Sequence, residues 1–397
     1  MSAPLLLTFN PGSSTIKIGL YSVLDSEASR IGHGVIDLRH QPLRLHLVHT
    51  NGTNDIPLKA AVTDDLHEVL DETLGWLAAH FPLDDLVCVG HRVVHGGDRF
   101  GGPVAIDDAT LAAIAALVPL APLHQPQSVR LIRAIRHLRP RLLQAASFDT
   151  AFHRTQADLV RRFAIPRRLF DQGIKRYGFH GLSYQFMIGQ LALQFPSLAH
   201  GKVIAAHLGS GASLCALEAG VSRDSSMGFS TLDGIPMATR CGTLDAGVVL
   251  HLLEQQALDV KQVEAMLYEQ SGLLGVSGIS ADSRELLASR RPEAREALEL
   301  FAFRIAGETA RLAATLGGLD SFVFTAGIGE HQPEVRAAVC ERLAWLGVDL
   351  DPHANGINAR VISSERSQVT VLVLPTDEEQ IIANQAVAVH LREEIKS

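Results

Sequence analysis

Cysteine is scarce. The 397 residues hold four, Cys88, Cys215, Cys241 and Cys340, and no CxxC pair. This argues against a disulfide frame or a cysteine-based zinc site and points to reduced thiols packed in a core. No HExxH stretch occurs, so the other familiar zinc spacing is missing too. Positive charge is not in excess. The formal net charge is −8, so nothing recommends a nucleic-acid partner, and an anionic substrate must be met by a local group of Arg and Lys. Long apolar runs are absent. The longest, around Leu111–Leu123, is interrupted by Pro119 and Pro122 and is too short to cross a membrane. The apolar start Leu5–Leu7 meets Asn10 and Pro11 without a basic leader, so no signal peptide is expected. GxxxxGK[ST], GxGxxG and GxSxG are all missing. That removes P-loop kinases, the dinucleotide fingerprint and the serine-nucleophile elbow.

What is present suits a compact protein of two domains. Apolar residues make up 47% and charged residues 20% of a chain too long for one ordinary core. Near the start, the apolar Leu5–Phe9 runs into Asn10-Pro11-Gly12-Ser13-Ser14, and an alternating run from Thr15 to Tyr21 leaves it. This reads as a β-hairpin. Its turn is either ordinary or a cradle for phosphate oxygens, since glycine allows close backbone approach and N–H and O–H groups point outward. Lys17 adds a cation. The pattern returns at Val203–Leu217, where Gly209-Ser210 lines up with Gly12-Ser13, and Cys215 and Leu217 with Ile18 and Leu20. A third glycine turn is expected at Gly327-Ile328-Gly329-Glu330, after the apolar Phe322–Thr325. Two similar hairpins imply a duplicated domain with a nucleotide held between the halves.

Strand signals cluster near residues 5–22, 31–49, 86–90, 203–217, 322–326 and 369–374. Helical spacing marks 65–80, 107–118, 128–138, 183–194, 245–256, 293–316, 333–346 and 378–391. The expected domains are 1–150 plus 380–397, and 151–379, with the last helix crossing back. Arg130, Arg133, Arg136 and Arg139 alternate with apolar residues and read as a solvated helix face.

Several polar residues stand out. Arg92, at the end of the strand before the Gly96-Gly97 turn, suits either an anion or a structural ion pair. Arg240 is a second isolated arginine among small residues. Asp149, at the expected end of a strand, faces a ligand crevice or caps a turn. His180 and His124 each suit a ligand or a hydrogen-bonded core.

Together, Asn10–Lys17, His91–Gly97, Phe148–His153, Arg176–Gly181, His207–Gly211, Ser226–Phe229, Thr239–Gly242, Gly327–Glu330 and Pro375–Glu379 resemble the acetokinase family, in order along nearly the whole chain. The resemblance implies an α/β fold of two duplicated RNase H-like (actin-like ATPase) domains with an inter-domain active-site cleft. It implies a cytoplasmic homodimer acting in acetyl-CoA biosynthesis. The partners are ATP, with Mg²⁺ or Mn²⁺, and acetate or another short-chain carboxylate, giving acetyl phosphate and ADP reversibly. By position, Asn10 and Glu378 resemble the metal-site residues, with Glu379 an open alternative to Glu378. Arg92 resembles the substrate arginine and Asp149 the catalytic acid. His180 and Arg240 resemble the stabilisers of the transferring group. Val94, Leu123 and Phe179 resemble the pocket for the methyl group. The nucleotide-binding segments correspond to His207, Leu208, Gly209, Ser210 and Gly211, to Asp282, Ser283 and Arg284, and to Gly327, Ile328, Gly329, Glu330 and His331, with Lys17 alongside.

Three residues depart from the family pattern. Ser210 stands where Asn is usual, Pro11 where Cys is usual, and Thr231 where Pro is usual. The last leaves propionate or butyrate as an alternative acceptor. A sugar kinase would not need two arginines for a neutral substrate, and a non-kinase actin-like ATPase would need a further domain that the motifs leave no room for.

A carboxylate acceptor has a pKa near ~4 and is ionised at neutral pH, so no strong base is needed. The obstacle is anion against anion, roughly 4 kcal/mol for unit charges about 4 Å apart at an effective dielectric near 20. Arg92 and Arg240 would offset it, His180 would donate to a phosphoryl oxygen, and Asp149 would orient a partner or move a proton.

Overall fold

The computed structural model describes residues 3–12, 15–38, 42–50, 52–61 and 66–396. Ser13 and Ser14, in the first hairpin turn, lie outside the described residues, as does Asp65 at the expected start of the first helix. The chain forms two compact units, Met1–Phe152 with Asp377–Ser397, and His153–Thr376.

The first unit is built on an eight-stranded sheet of β1 (Leu5–Pro11), β2 (Thr15–Leu24), β3 (Glu27–Asp37), β4 (Arg44–His49), β5 (Gly52–Pro57), β6 (Leu86–Val93), β7 (Val104–Ala105) and β8 (Leu143–Phe148). Their order is β5-β4-β3-β2-β1-β6-β8-β7. β1 to β5 form an antiparallel meander, and β1, β6 and β8 run parallel. β1 is buried along its whole length because the period of two gives each face a partner. Leu7 and Phe9 join Ile16, Ile18 and the helices His67–His80 and Gln125–Leu138 in one core. Leu6 joins Tyr21, Cys88 and the final helix Glu378–Lys396 in another. Each fully buried leucine contributes roughly 2 kcal/mol to this sandwich. The final helix sits close: a Cβ at Gly90 would stand 2.8 Å from Ile382 Cγ2.

The second unit carries a five-stranded sheet of β9 (Lys202–Leu208), β10 (Ala212–Glu218), β11 (Val221–Ser225), β12 (Ser321–Thr325) and β13 (Thr370–Val373), in the order β11-β10-β9-β12-β13. Alternation along β10 points Ser213 and Cys215 to the face covered by the helix Gly181–Gln194, whose Tyr184 hydroxyl reaches Ser213 Oγ. Ala216 and its cross-strand partner Asp224 point to the other face, where Arg311 of the helix Pro292–Leu316 meets Asp224 at 2.7 Å.

Some expected elements change. The two hairpins are not equal residue for residue. Pro11 pairs with Ile16 across residues 12–15, whereas Leu208 pairs with Ala212 across residues 209–211. The second turn is one residue shorter, so Ile18 corresponds to Leu214, not to Cys215. The expected glycine turn at Gly327–Glu330 is a short helix, Ala326–His331. Its first N–H is satisfied by Glu330 Oε1 at 2.9 Å, which lets the chain coil directly after β12. The helix expected over 107–118 spans Asp108–Ala115, and Val118–Leu120 is a separate 3₁₀ turn. Pro119 lacks the N–H that a continuing helix needs. The helix expected over 333–346 likewise stops at Glu341, with a 3₁₀ turn at Ala344–Leu346 closing onto Gly347.

Candidate active site

In the first unit, three strand ends deliver the polar groups. Asn10 lies near the end of β1, Arg92 near the end of β6, and Asp149 just past β8. The carboxyl ends of parallel strands are where α/β folds present side chains to ligands. Register does the aligning: Arg92 sits opposite Ser147, and Asp149 N–H bonds Val93 O at 3.2 Å. The Arg92 guanidinium forks onto Asp149, with Nη2 at 2.6 Å and Nε at 3.0 Å from Oδ2. Its Nη1 donates to Asn10 Oδ1 at 3.0 Å. Asn10 Nδ2 in turn donates to both Glu378 Oε2 at 3.0 Å and Glu379 Oε1 at 2.8 Å. Both glutamates reach Asn10 because they occupy the first turn of the final helix. Lys17 Nζ lies 3.3 Å from Glu379 Oε1, so the structure groups Lys17 with these carboxylates, in the unit that lacks the other expected nucleotide residues.

Burial sets the electrostatics. Asp149 is fully buried, and loss of water raises its carboxyl to about 6 against the downward pull of Arg92. Burial also works against the charge on Arg92, but Asp149 and the two glutamates outweigh it and hold the guanidinium above its ordinary pKa. The group remains a charged clamp at neutral pH. Val94, just past β6, is buried, while Leu123 is 40% exposed.

In the second unit, His180 precedes the helix Gly181–Gln194 with φ 57. Left-handed backbone at a non-glycine residue costs about 1–2 kcal/mol, which the surrounding packing must sustain. Its ring makes no capping bond to the helix. Instead, Nδ1 lies 2.9 Å from Ser213 Oγ, and the ring stacks on His207 with centroids 4.2 Å apart. Phe179, just before it, is buried. Its carbonyl bonds His153 Nε2 at 2.9 Å. His153 also explains Gly178, whose φ of +79 and contact with the ring leave no room for a Cβ. Arg240 Nη1 donates to Thr231 O at 3.1 Å. The short β9–β10 turn brings these groups together: a Cβ at Gly211 would stand 3.3 Å from His180 Nε2 and 3.8 Å from Arg240 Nη1.

Beside this turn is a cavity of about 490 Å³, within the size range of small-ligand sites. Gly209, Ser210, Asp282, Ser283, Arg284, Gly327, Ile328 and His331 line it, joined by Ala238, Ala281 and Gln332. Asp282 caps the helix Ser283–Ala288 and takes Arg284 Nη2 at 2.6 Å; that bond holds its carboxyl below the ordinary range. The remaining residues of the expected nucleotide segments do not line the cavity. Leu208 is core, Gly329 O accepts from Arg336 Nη1 at 2.9 Å, and the Glu330 carboxylate is taken by the N–H groups of Ala326 and Thr376. They act as frame. Sequence reading did not single out the hydroxyls that hold the two stacked rings, Ser183, Tyr184, Ser213 and Thr376. The available signal was hairpin register, which places Ser213 directly opposite His207.

The model of the acetokinase family matches residues 5–384. An acetate kinase of Rhodopseudomonas palustris (strain TIE-1) is 47% identical over 387 residues, covering 96% of each chain. An acetate kinase of Methylocella silvestris is 44% identical over 392 residues, covering 96% of this chain and 97% of the relative. Among solved structures, a propionate kinase from Francisella tularensis matches with a TM-score of 0.91 at 32% identity, covering 97% of this chain and all (100%) of the other. Porphyromonas gingivalis acetate kinase matches with a TM-score of 0.87 at 32% identity, covering 98% of this chain and 100% of the other.

Proposed function

Since the chain belongs to the acetokinase family, we propose that it transfers the terminal phosphoryl group of ATP to acetate, reversibly, giving acetyl phosphate and ADP. The observation that carries this reading is the buried Arg92 clamp, tied to Asp149 and, through Asn10, to a pair of glutamates. A neutral acceptor would not require a buried cation of this kind.

The acetate carboxylate needs no base. It needs a positive group that lowers its repulsion from the phosphates. Arg92 binds and orients it: Nη2 gives one hydrogen to Asp149 and has a second to offer. Asp149 holds the guanidinium in place, which favours the orienting role over proton transfer, because the reaction consumes no proton from acetate. Arg240 and His180, beside the Gly209–Gly211 turn, donate to phosphoryl oxygens as charge develops there. The cavity lined by Asp282–Arg284, Gly327, Ile328 and His331 takes the nucleoside.

The donor set fits Mg²⁺ or Mn²⁺. Glu378 and Glu379 present hard carboxylate oxygens side by side, and Asn10 Nδ2 bridges the two. Magnesium retains waters and leans on phosphates, so it asks for few protein ligands. When bound, the ion neutralises phosphate charge. Lys17, paired with Glu379, adds a cation on the same side.

The same reading extends to a cytoplasmic homodimer serving acetyl-CoA biosynthesis. Leu244, Val248, Leu250 and Val260 are exposed around the helix Ala246–Glu254, which supports a partner surface, and no helix among the described residues is long and apolar enough to span a membrane.

Thr231 favours one second reading, a propionate or butyrate kinase, because it stands where the family usually has proline. Trapping the acyl phosphate as hydroxamate, with acetate, propionate and butyrate compared at fixed Mg²⁺ and ATP, tests both. Product from none of the three overturns the proposal.

A further inference from the structure

We propose that Tyr184 and Ser213 are positioning residues that hold the His180 ring in the tautomer with its proton on Nε2. This deepens the phosphoryl-transfer reading and rests on it for its catalytic meaning.

Ser213 Oγ lies between two partners, 2.6 Å from the Tyr184 hydroxyl and 2.9 Å from His180 Nδ1. Both Ser213 and Tyr184 are fully buried, so water does not compete for these bonds. A buried phenol O–H needs an acceptor, and Ser213 Oγ at 2.6 Å supplies one, so on this proposal Tyr184 is the donor of this bond. Ser213 has one hydrogen. Accepting from Tyr184, it donates its own to Nδ1. An imidazole that accepts at Nδ1 carries its proton on Nε2.

Nε2 is the nitrogen beside the glycine turn, 3.3 Å from the place of a Gly211 Cβ. The stacked ring repeats the arrangement. Thr376 Oγ1 donates to Ser183 Oγ at 2.8 Å, and Ser183 Oγ stands 2.7 Å from His207 Nδ1. His207 Nε2 is 3.6 Å from the place of a Gly209 Cβ. Two hydroxyl chains thus turn two Nε2–H groups toward one turn. A carboxylate at Nδ1 would favour a charged imidazolium. A hydroxyl supplies no such charge, and the ring is aimed by hydrogen bonding alone.

The test uses the full chain with ¹⁵N-labelled histidine and no nucleotide, the His180 signals being identified by their loss in His180→Ala. Wild type should show a pyridine-like Nδ1 and a pyrrole-like Nε2, and Tyr184→Phe and Ser213→Ala should mix the tautomers. In turnover, Ser213→Ala should lower kcat roughly tenfold, the scale of one lost hydrogen bond, with both KM values nearly unchanged. In a His180→Ala background the same change should alter kcat less than twofold. An equal loss in both backgrounds overturns the proposal, as does a wild-type ring protonated on Nδ1. If Ser213→Ala does not fold, Tyr184→Phe carries the same comparison, and the wild-type spectrum needs only His180→Ala for its assignment. Protein inactive on every short-chain acid, yet with His180 protonated on Nε2, overturns the functional reading and supports the positioning.

Discussion

Arg92 Nη2 and Asp149 Oδ2 lie 2.6 Å apart at the ends of neighbouring parallel strands, with the carboxylate wholly enclosed. The guanidinium is thereby fixed in direction before any substrate arrives. Arg92→Ala should raise the acetate KM strongly while leaving the ATP KM within about threefold. An unchanged acetate KM removes Arg92 from the substrate site. Asp149→Ala leaves the buried cation without its main partner and should cost roughly 3–5 kcal/mol of stability, measured by urea unfolding.

Gly211 borders both His180 Nε2 and Arg240 Nη1. A methyl group there occupies the space between the two donors. Gly211→Ala should keep the thermal midpoint within a few degrees and lower kcat by about 10²-fold, the scale expected for a misplacement near 1 Å. Wild-type turnover would show that no reacting group passes this point.

Thr231 offers its carbonyl to Arg240, a contact that proline would retain. Thr231→Pro should therefore keep kcat near wild type and raise the acetate-to-propionate ratio of kcat/KM by up to about tenfold, the range available to one apolar group. A ratio that does not move would separate this residue from acceptor choice.

Burial lowers the His153 pKa to about 4. The unfolded ring titrates near ~6.5, so between those values the unfolded chain binds more protons than the folded one. Stability from this group is therefore complete above about 6.5 and is lost as pH falls toward 4, on the order of 3 kcal/mol. His91, also lowered to about 4 by burial, adds a slope of the same sign. Unfolding free energies measured from pH 4 to 7 should rise with pH, less steeply in His153→Gln. Parallel curves for the two proteins would refute the assignment.

The paired hairpins, the long helices and the αβ order were legible because burial imposes period two or 3.6 on the residues concerned. β5, with the sequence Gly-Thr-Asn-Asp-Ile-Pro, was not. It is an exposed edge strand held by pairing with β4, and pairing leaves little trace in composition. β11 was missed for a related reason, since Ser222, Asp224 and Ser225 are buried polar residues satisfied by His153, Arg311 and Leu214. At the site, motifs brought Asn10, Arg92, Asp149 and Glu378 to notice separately, and only strand register and the returning helix show them bonded. Glu379 could not be told from Glu378 by position, and both reach the same amide. Tyr184 and Ser213 escaped because a hydroxyl on an apolar helix or strand reads as filler until its acceptor is known.

The final helix supplies Glu378 and Glu379 to a unit whose eight strands all precede residue 150. A chain emerging from the ribosome therefore covers one face of this sheet long after its strands are made. Until residues 378–396 are released from the exit tunnel, Leu6, Cys88 and Ala145 face solvent on one side, and Asn10 waits without its carboxylates. Biogenesis thus depends on keeping that apolar face from aggregating until the helix Glu378–Lys396 has been made.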